Sequence, residues 1–320
     1  MKLSQIPHLV IVLFLVNCID KQNERVFNSQ ITLKTNQYIT VLGVAQDAGF
    51  PQIDCEKPCC KSFYNGKEDK KLVSCLGLVD LDDEKKWIFD ATPDITSQVE
   101  TLKTNHLSNG SIVNGVFLTH AHMGHYTGLM QLGREAMNAN DIPVYTMPKM
   151  KNFIENNQPW QQLVNLKNID LQPLKKDSTL VLNSNLKVTP FLVPHRDEFS
   201  ETVGYKIESK NKSALFIPDI NKWNIWNKQI VEEVKKVDYA FLDATFFKDG
   251  EVPRPMSDIP HPFIFETVKL FENESIETKS KIYFIHLNHT NPALKKSHKL
   301  KDSIQNLGFN FAKEGDNFSL

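Results

Sequence analysis

Short apolar runs alternate with amphipathic segments along the chain from residue 38 onward. Runs rich in β-branched and aromatic residues predict strands, and segments with helical periodicity predict helices. In the first half, the pattern predicts strands at 38–45, 72–81, 86–90 and 116–119, and helices at 95–103 and 127–137. In the second half, it predicts strands at 186–193, 202–208, 213–217, 239–243 and 281–285, and helices at 223–235, 263–271 and 292–307. This alternation predicts an α/β fold whose sheets carry helices on their outer faces.

Composition supports a single globular domain from residue 37 to 320. Hydrophobic residues make up 41% of the 320 residues and aromatic residues 10%, which is enough for a substantial core. No Pro/Gly-rich linker separates the two halves. The 37 Lys and Arg residues are balanced by 38 Asp and Glu residues, so the formal charge is −1. Because the chain has no overall positive field, we expect a small-molecule substrate and no nucleic-acid partner.

The N-terminal segment predicts export. Lys2 precedes an apolar run at residues 9–16, which is too short to span a membrane but matches the hydrophobic region of a signal peptide. The sequence ending in Cys18 resembles the lipobox of bacterial lipoproteins, although Asn17 departs from the usual small residue. We therefore expect a signal peptide at 1–18 and a polar tether at 19–36. The protein would face the periplasm or exterior of a bacterium, and only its lipid anchor would contact the membrane. The alternative is a buried amphipathic start.

Three histidines lie close together directly after the predicted strand at 116–119. They are His120, His122 and His125. In an extended segment, residues i and i+2 point to the same side, so the first two side chains can bind one ion. Neutral imidazole is a common ligand of zinc and similar divalent ions. This spacing predicts a metal site at the end of a strand, and the alternative is a set of ordinary surface or core histidines.

Further polar residues follow apolar runs, each at the end of a predicted strand. They are Asp90, His195, Asp219, Asp243 and His286. A single residue of this kind would be an ordinary loop residue. Five of them, together with the histidine loop, predict convergence on one cleft at an edge of the sheets.

A second cluster contains Cys55, Cys59 and Cys60. Adjacent cysteines form a disulfide with each other only under strain. Three thiolates on a tight turn suit a structural zinc ion that requires one more ligand, and we favour this interpretation over a disulfide. Cys75 lies in an apolar run and is predicted to be a core residue.

These motifs resemble the signature of the metallo-β-lactamase superfamily, which is His-x-His-x-Asp-His followed by a distant His, an Asp and a final His. The resemblance implies a four-layer αββα sandwich. It also implies that His120, His122 and His195 bind a first metal ion, while His125, Asp219 and His286 bind a second, with Asp219 bridging the two. Asp90 matches the early aspartate of the family, which orients the histidine loop and does not bind metal.

Within the superfamily, the chain is similar to the family of pyrroloquinoline quinone biosynthesis protein B. The similar segments are residues 48–52, 125–129, 243–247 and 286–292. The cysteine cluster and the His-x-x-His ending are also similar to the cyclic phosphodiesterase of phosphonate metabolism. That similarity implies that His289 is the fourth ligand of a structural zinc. The alternative is that His289 is a turn residue or an additional active-site group.

Gly124 departs from the superfamily pattern, which has an aspartate at this position of the loop. No other residue of the loop can replace the carboxylate, so we expect a weaker second metal site. Asp219 or His261 is then the candidate to accept a hydrogen bond from the attacking water. The histidine pair of this loop is lost or altered in the biosynthesis protein B family, so in this loop the chain is closer to an ordinary hydrolase.

Zn²⁺ bound by three histidines with an open position lowers the pKa of a bound water to about 7 and supplies hydroxide as a nucleophile. We therefore predict a zinc-dependent hydrolase of an ester, lactone, amide or phosphodiester. It would hold one or two active-site ions and use Asp219, His261 and Asp90 in catalysis. One alternative is an Fe²⁺-dependent oxygenase of pyrroloquinoline quinone-type biosynthesis, because the same ligands can hold iron. Another is a non-catalytic metal-binding lipoprotein.

Overall fold

The computed structural model describes residues 35–253 and 255–320. The predicted signal peptide with Cys18, and the predicted tether up to residue 34, lie outside these residues. None of the helices in the described part of the chain combines the length and the hydrophobicity needed to cross a bilayer.

The first sheet contains seven strands in the order β14-β1-β2-β3-β4-β5-β6. The strands are β1 (Gln37–Gly43), β2 (Cys75–Asp80), β3 (Lys85–Phe89), β4 (Val116–Phe117), β5 (Ile142–Thr146), β6 (Ile169–Pro173) and β14 (Asn317–Ser319). Pairing is antiparallel from β14 to β3 and parallel from β3 to β6. The parallel strands therefore end at a common edge, where the histidine loop begins.

The second sheet also has seven strands, in the order β13-β12-β11-β10-β9-β8-β7. They are β7 (Leu180–Val181), β8 (Lys187–Leu192), β9 (Val203–Glu208), β10 (Ser213–Ile217), β11 (Tyr239–Asp243), β12 (Ile282–Ile285) and β13 (Asn310–Phe311). Strands β7 to β10 are antiparallel, and β10 to β13 are parallel. As in the first sheet, the parallel strands end at an edge that carries polar residues, here Asp219, Asp243 and His286.

Helices connect many of the strands. They are α1 (Pro58–Tyr64), α2 (Ile95–Asn105), α3 (Met123–Tyr126), α4 (Pro148–Asn156), α5 (Trp160–Asn165), α6 (Ile230–Lys235), α7 (Ile264–Leu270), α8 (Ile276–Ser280) and α9 (Lys299–Asn306). Ile88 and Val116 of the first sheet share a buried cluster with Val99 of α2 and Ile154 of α4. Helices α6, α7 and α9 bury apolar residues in the cluster that includes the second sheet. The predicted α/β fold of the αββα type is confirmed.

Aromatic rings fill the space between the two sheets. Phe89 of β3 and Phe117 of β4 stack with their ring centroids 4.9 Å apart. Tyr205 of β9 packs edge-on against both rings, at 5.4 and 5.5 Å. Phe216 of β10 lies 6.1 Å from Phe89. These contacts join the sheets directly beneath the edge where the polar residues collect.

The largest errors of the sequence-based prediction concern helix length. The helix predicted at 127–137 is wrong, because the chain forms only a 3-10 turn at Thr127–Leu132. A Cβ at Gly128 would lie 2.1 Å from the carbonyl oxygen of Thr92, so this turn is pressed against the strand-end backbone. The helices predicted at 223–235 and 292–307 are shorter than expected. Each segment begins with a 3-10 turn and forms an α-helix only at α6 and α9, respectively. Strands β5, β6, β7, β13 and β14 were not predicted; in β5, Pro143 interrupts the apolar pattern.

We predict that Phe89→Ala lowers the free energy of unfolding by about 3–5 kcal/mol, because it opens a cavity between the sheets. Urea denaturation of the two proteins measures this difference. Leu307→Ala is the control, since Leu307 is 47% exposed and its truncation should cost less than about 0.5 kcal/mol. Equal effects of the two substitutions would contradict the assignment of Phe89 to the inter-sheet core.

Candidate metal centre

The predicted site residues lie at the ends of strands from both sheets. Asp90 directly follows β3, and the histidine loop connects β4 to α3. In the second sheet, the site residues come soon after β8, β10 and β12; they are His195, Asp219 and His286. The structure brings all of these side chains together at one edge of the sandwich.

A first cluster contains His120, His122, His195 and Asp219. His122 Nδ1 lies 2.8 Å from His120 Nε2 and 3.2 Å from His195 Nε2. Asp219 Oδ2 lies 3.1 Å from His195 Nε2, 3.4 Å from His120 Nε2 and 3.9 Å from His122 Nδ1. Four zinc ligands in a tetrahedron at about 2.0–2.1 Å would be about 3.3–3.4 Å apart, so the spacing of these atoms suits one ion.

The other ring nitrogen of each histidine in this cluster is held by an oxygen atom. His122 Nε2 lies 3.0 Å from Glu198 Oε2, and His195 Nδ1 lies 3.1 Å from Asn221 Oδ1. His120 Nδ1 lies 3.0 Å from Thr119 Oγ1, a hydroxyl that donates its own hydrogen to a carboxylate and therefore accepts from the ring. With these outer nitrogens protonated, the inner nitrogens present lone pairs to one another.

A second cluster contains His125, His286, Asp219 and a residue that the sequence analysis did not identify, Asp47. Asp47 Oδ1 lies 3.0 Å from His125 Nε2 and 3.2 Å from His286 Nε2. Asp219 Oδ2 lies 4.0 Å from His125 Nε2, so Asp219 belongs to both clusters. This placement agrees with the bridging position that the resemblance implies for Asp219.

The space beside Gly124 is occupied by a carboxylate that comes from outside the histidine loop. A Cβ built at Gly124 would lie 2.4 Å from Asp47 Cα and 2.7 Å from Asp47 Oδ1. Asp47 follows the predicted strand at 38–45, so the same strand-end pattern that identified Asp90 and Asp219 could have identified it. A carboxylate is thus present, although it comes from a different part of the chain.

Asp90 supports the histidine loop from beneath. Its Oδ2 accepts a hydrogen bond from His125 Nδ1 at 2.7 Å, and its Oδ1 accepts one from the backbone N–H of Thr119 at 2.8 Å. Asp90 and His286 have φ values of 71° and 63°, in the left-handed region that side chains rarely adopt. Backbone strain of this kind is common at functional sites. Asp90 lies outside the metal-type clusters, as the resemblance implies.

His261 lies beside Asp219 and is buried. Its Nδ1 lies 2.9 Å from Asp243 Oδ2 and 3.1 Å from Asp219 Oδ1. Asp219 Oδ1 nevertheless has no hydrogen bond of acceptable geometry among the described residues. Asp243 also accepts hydrogen bonds from the backbone and hydroxyl of Thr245, so it orients His261.

The charges of the site stabilise one another. Burial by itself raises the pKa of Asp219, but the imidazoles of His195 and His261 more than offset this and hold the pKa well below its usual value. Burial raises the pKa of Asp47 too, but the neighbouring imidazoles of His125 and His286 hold it well below its usual value. Burial lowers the pKa of His261, yet Asp219 and Asp243 raise it to about 10. Burial and the nearby His125 hold the pKa of His120 well below its usual range.

A separate cluster contains Cys55, Cys59, Cys60 and His289. The three sulfurs lie 3.5, 3.7 and 3.4 Å from His289 Nδ1, and Cys55 Sγ lies 3.9 Å from Cys59 Sγ. Tetrahedral zinc with bonds of about 2.3 Å to sulfur and 2.0–2.1 Å to nitrogen has ligand atoms about 3.5–3.8 Å apart. The cysteines are free thiols, and Cys75 is buried as predicted.

Donor type and spacing therefore fit metal ions in all of these clusters. The first cluster holds three inward imidazole nitrogens around a carboxylate oxygen, with no proton donor placed between them in the tautomers that the outer hydrogen bonds favour. Lone pairs that face one another at such distances repel. A divalent cation placed between them would remove this repulsion, because each lone pair could coordinate it. The residues are thus suited to bind metal.

The comparisons with known proteins agree on one family. The family model described as the beta-lactamase superfamily domain matches residues 86–287, which is more than half of the chain. Coenzyme PQQ synthesis protein B of Gluconobacter oxydans (strain 621H) is 25% identical over 308 residues, which cover 88% of this chain and 98% of the relative. The protein of the same name from Klebsiella pneumoniae (strain 342) is 24% identical over 311 residues, covering 87% and 96%.

Two solved structures share the fold. Zn²⁺-bound PqqB from Methylobacterium extorquens has a TM-score of 0.73 at 22% identity and covers 88% of this chain and 100% of its own. A diphosphatase from the PhnP family has a TM-score of 0.61 at 22% identity, covering 89% and 98%. The matched residues contain the histidine loop, His195, Asp219 and His286. The chain belongs to the metallo-β-lactamase superfamily.

Proposed function

We propose that the protein is a zinc-dependent hydrolase that cleaves an ester, lactone, amide or phosphodiester bond in a small molecule. The observation that carries this proposal is the set of inward nitrogens of His120, His122 and His195, which face one another and Asp219 at 2.8–3.9 Å. A structural role would not require three imidazoles to be oriented toward one common centre by three separate outer hydrogen bonds.

His120, His122, His195 and Asp219 would hold a divalent ion, which would supply an activated water and polarise a carbonyl or phosphoryl oxygen. The side chains through which the site meets solvent are those of His122, Asp47 and His261, which are 11%, 17% and 10% exposed, while Asp219 is 2% exposed. A substrate therefore reaches the centre between these three residues.

Asp219, His261 and Asp90 have distinct proposed roles. Asp219 belongs to both clusters, so its buried carboxylate lies between the two sets of histidines. The described hydrogen bonds of His261 use Nδ1, so its Nε2 is the ring atom available to a substrate or leaving group. Asp90 acts through His125, which it holds in the tautomer whose Nε2 faces the site.

The metal content of the purified chain, produced without added metal, tests the proposal. We expect zinc in the cleft and hydrolysis of at least one of four probes: a p-nitrophenyl ester, an aliphatic lactone, an anilide and bis(p-nitrophenyl) phosphate. Cleft-bound iron with oxygen consumption would instead support the oxygenase alternative. Zinc without hydrolysis of any probe would contradict the proposal.

We predict that His122→Ala lowers the hydrolysis rate by a factor on the order of 100 or more and removes one ion per chain. The substitution deletes an inward nitrogen of the first cluster, and changes even to groups around a metal ligand cost about 10–100-fold. Activity assays and elemental analysis measure the two effects. His298→Asn is the matched control, because His298 caps α9 outside the clusters and asparagine can replace it as an N-cap.

We also propose that Cys55, Cys59, Cys60 and His289 bind a structural zinc ion. Their spacing suits a tetrahedral ion, and no further ligand position has to remain open for substrate. His289 comes from the segment after β12, 234 residues from Cys55 in the sequence. The ion would therefore join two distant parts of the chain.

We predict that Cys59→Ser removes this ion and destabilises the fold by about 4 kcal/mol at free zinc near 1,000 times Kd. Thermal denaturation with and without a chelator, together with zinc analysis, measures the change. Cys75→Ala is the control, because Cys75 is buried in the core away from the cluster and should leave the zinc content unchanged. A chelator-insensitive melting temperature in the unmodified protein would argue against a structural ion.

A further inference from the structure

Asp47 has the position and the chemistry of a metal ligand that the superfamily pattern does not contain. Its Oδ1 lies between two imidazole nitrogens, 3.0 Å from His125 Nε2 and 3.2 Å from His286 Nε2. Both imidazoles have their other nitrogen engaged, His125 with Asp90 and His286 with Thr245. The Thr245 hydroxyl donates to Asp243, so it accepts from His286 Nδ1. The inner nitrogens and the carboxylate are therefore all oriented as acceptors toward one point.

The backbone around Asp47 is held firmly beside His286. The backbone N–H of Gln46 donates to the carbonyl of Leu287 at 2.9 Å, and the N–H of Leu287 donates to Val44 at 2.8 Å. The chain then turns, with the N–H of Gly49 donating to Gln46 at 2.7 Å. These backbone hydrogen bonds hold the segment after β1 against the segment after β12, and they therefore fix the position of Asp47 beside His286.

Gly124 provides the space that Asp47 occupies. A Cβ at residue 124 would lie 2.4 Å from the backbone Cα of Asp47, 2.7 Å from its Oδ1 and 2.8 Å from its Cβ. A contact this short with backbone cannot be relieved by rotating a side chain. Any side chain at residue 124, including aspartate, would therefore displace Asp47. An aspartate at 124 and the observed placement of Asp47 exclude each other.

We propose that Asp47 is a ligand of the second metal ion and that Gly124 is present because it admits this carboxylate. The carboxylate of the second site has moved from the histidine loop to the end of β1. The second site then has four donors, Asp47, His125, Asp219 and His286, and it is not weakened by the glycine. This inference rests on the proposed metal-dependent function.

The test counts metal ions bound to the full-length protein, by elemental analysis after gel filtration and by calorimetric titration of the metal-free protein with Zn²⁺. We expect three ions per chain in the unmodified protein: two in the cleft and one at the cysteine cluster. Asp47→Asn keeps the shape of the side chain but removes its charge. It should retain two ions and weaken the third by a factor on the order of 100.

Asp141→Asn is the matched control. Asp141 is exposed, lies outside the clusters and, like Asp47, changes only its charge. It should bind three ions with unchanged affinities. The ion at the cysteine cluster reports that each variant is folded, since that site depends on segments distant in the sequence.

Gly124→Ala tests the exclusion directly. A methyl group at residue 124 collides with the backbone of Asp47 and supplies no carboxylate, so this variant should lose the third ion. Three ions of unchanged affinity in Gly124→Ala would overturn the claim that Gly124 admits the carboxylate of Asp47.

The remaining outcomes separate this inference from the proposed function. Three ions of unchanged affinity in Asp47→Asn would overturn the role of Asp47 and leave the hydrolase proposal intact. Two ions in the unmodified protein, with the cleft holding one, would do the same. A single ion at the cysteine cluster, with none in the cleft, would overturn both.

Discussion

The aromatic packing between the two sheets determines where the chemistry of this protein lies. Phe89 directly precedes Asp90, Phe117 comes three residues before His120, and Phe216 comes three residues before Asp219. Phe89 and Phe117 stack within the first sheet at 4.9 Å, and Phe89 meets Phe216 of the second sheet at 6.1 Å. Alternate residues of a strand face opposite sides, so a shift of one residue in register would take each ring out of the core. The packing that holds the sheets together therefore also sets the positions of the site residues that follow each strand.

The two sheets contribute similar hydrogen-bonded units to the site. In the first sheet, the Thr119 hydroxyl donates to Asp90 and accepts from His120. In the second sheet, the Thr245 hydroxyl donates to Asp243 and accepts from His286. In both units a buried carboxylate sets the direction of a hydroxyl, and the hydroxyl sets the tautomer of an imidazole. The imidazoles are thereby oriented before any ion arrives, which reduces the ordering that metal binding would require.

The cysteine cluster and the second cluster of the cleft share two segments of the chain. The segment after β1 supplies Asp47 and then the three cysteines, while the segment after β12 supplies His286 and then His289. Between them, the hydrogen bonds of Leu287 hold the segments side by side. A structural ion at the cysteines would therefore fix the same junction that positions Asp47 against His286. Stability at one cluster and geometry at the other are linked through this junction.

Local patterns in the sequence were sufficient for much of the fold and part of the site. The strands predicted at 213–217 and 239–243 have the observed bounds, because the first apolar run stops before Pro218 and the second ends at Asp243. The histidine loop and the three cysteines are visible for the same reason, since each group lies within a few residues. Asp47 is different: it meets His125 and His286 across 78 and 239 residues. The strand-end pattern could have placed Asp47 at the edge of the sheet, but no local pattern records its contacts with these histidines. Gly124 therefore looked like a missing ligand, whereas the tertiary structure fills the space beside it with a carboxylate from the turn after β1.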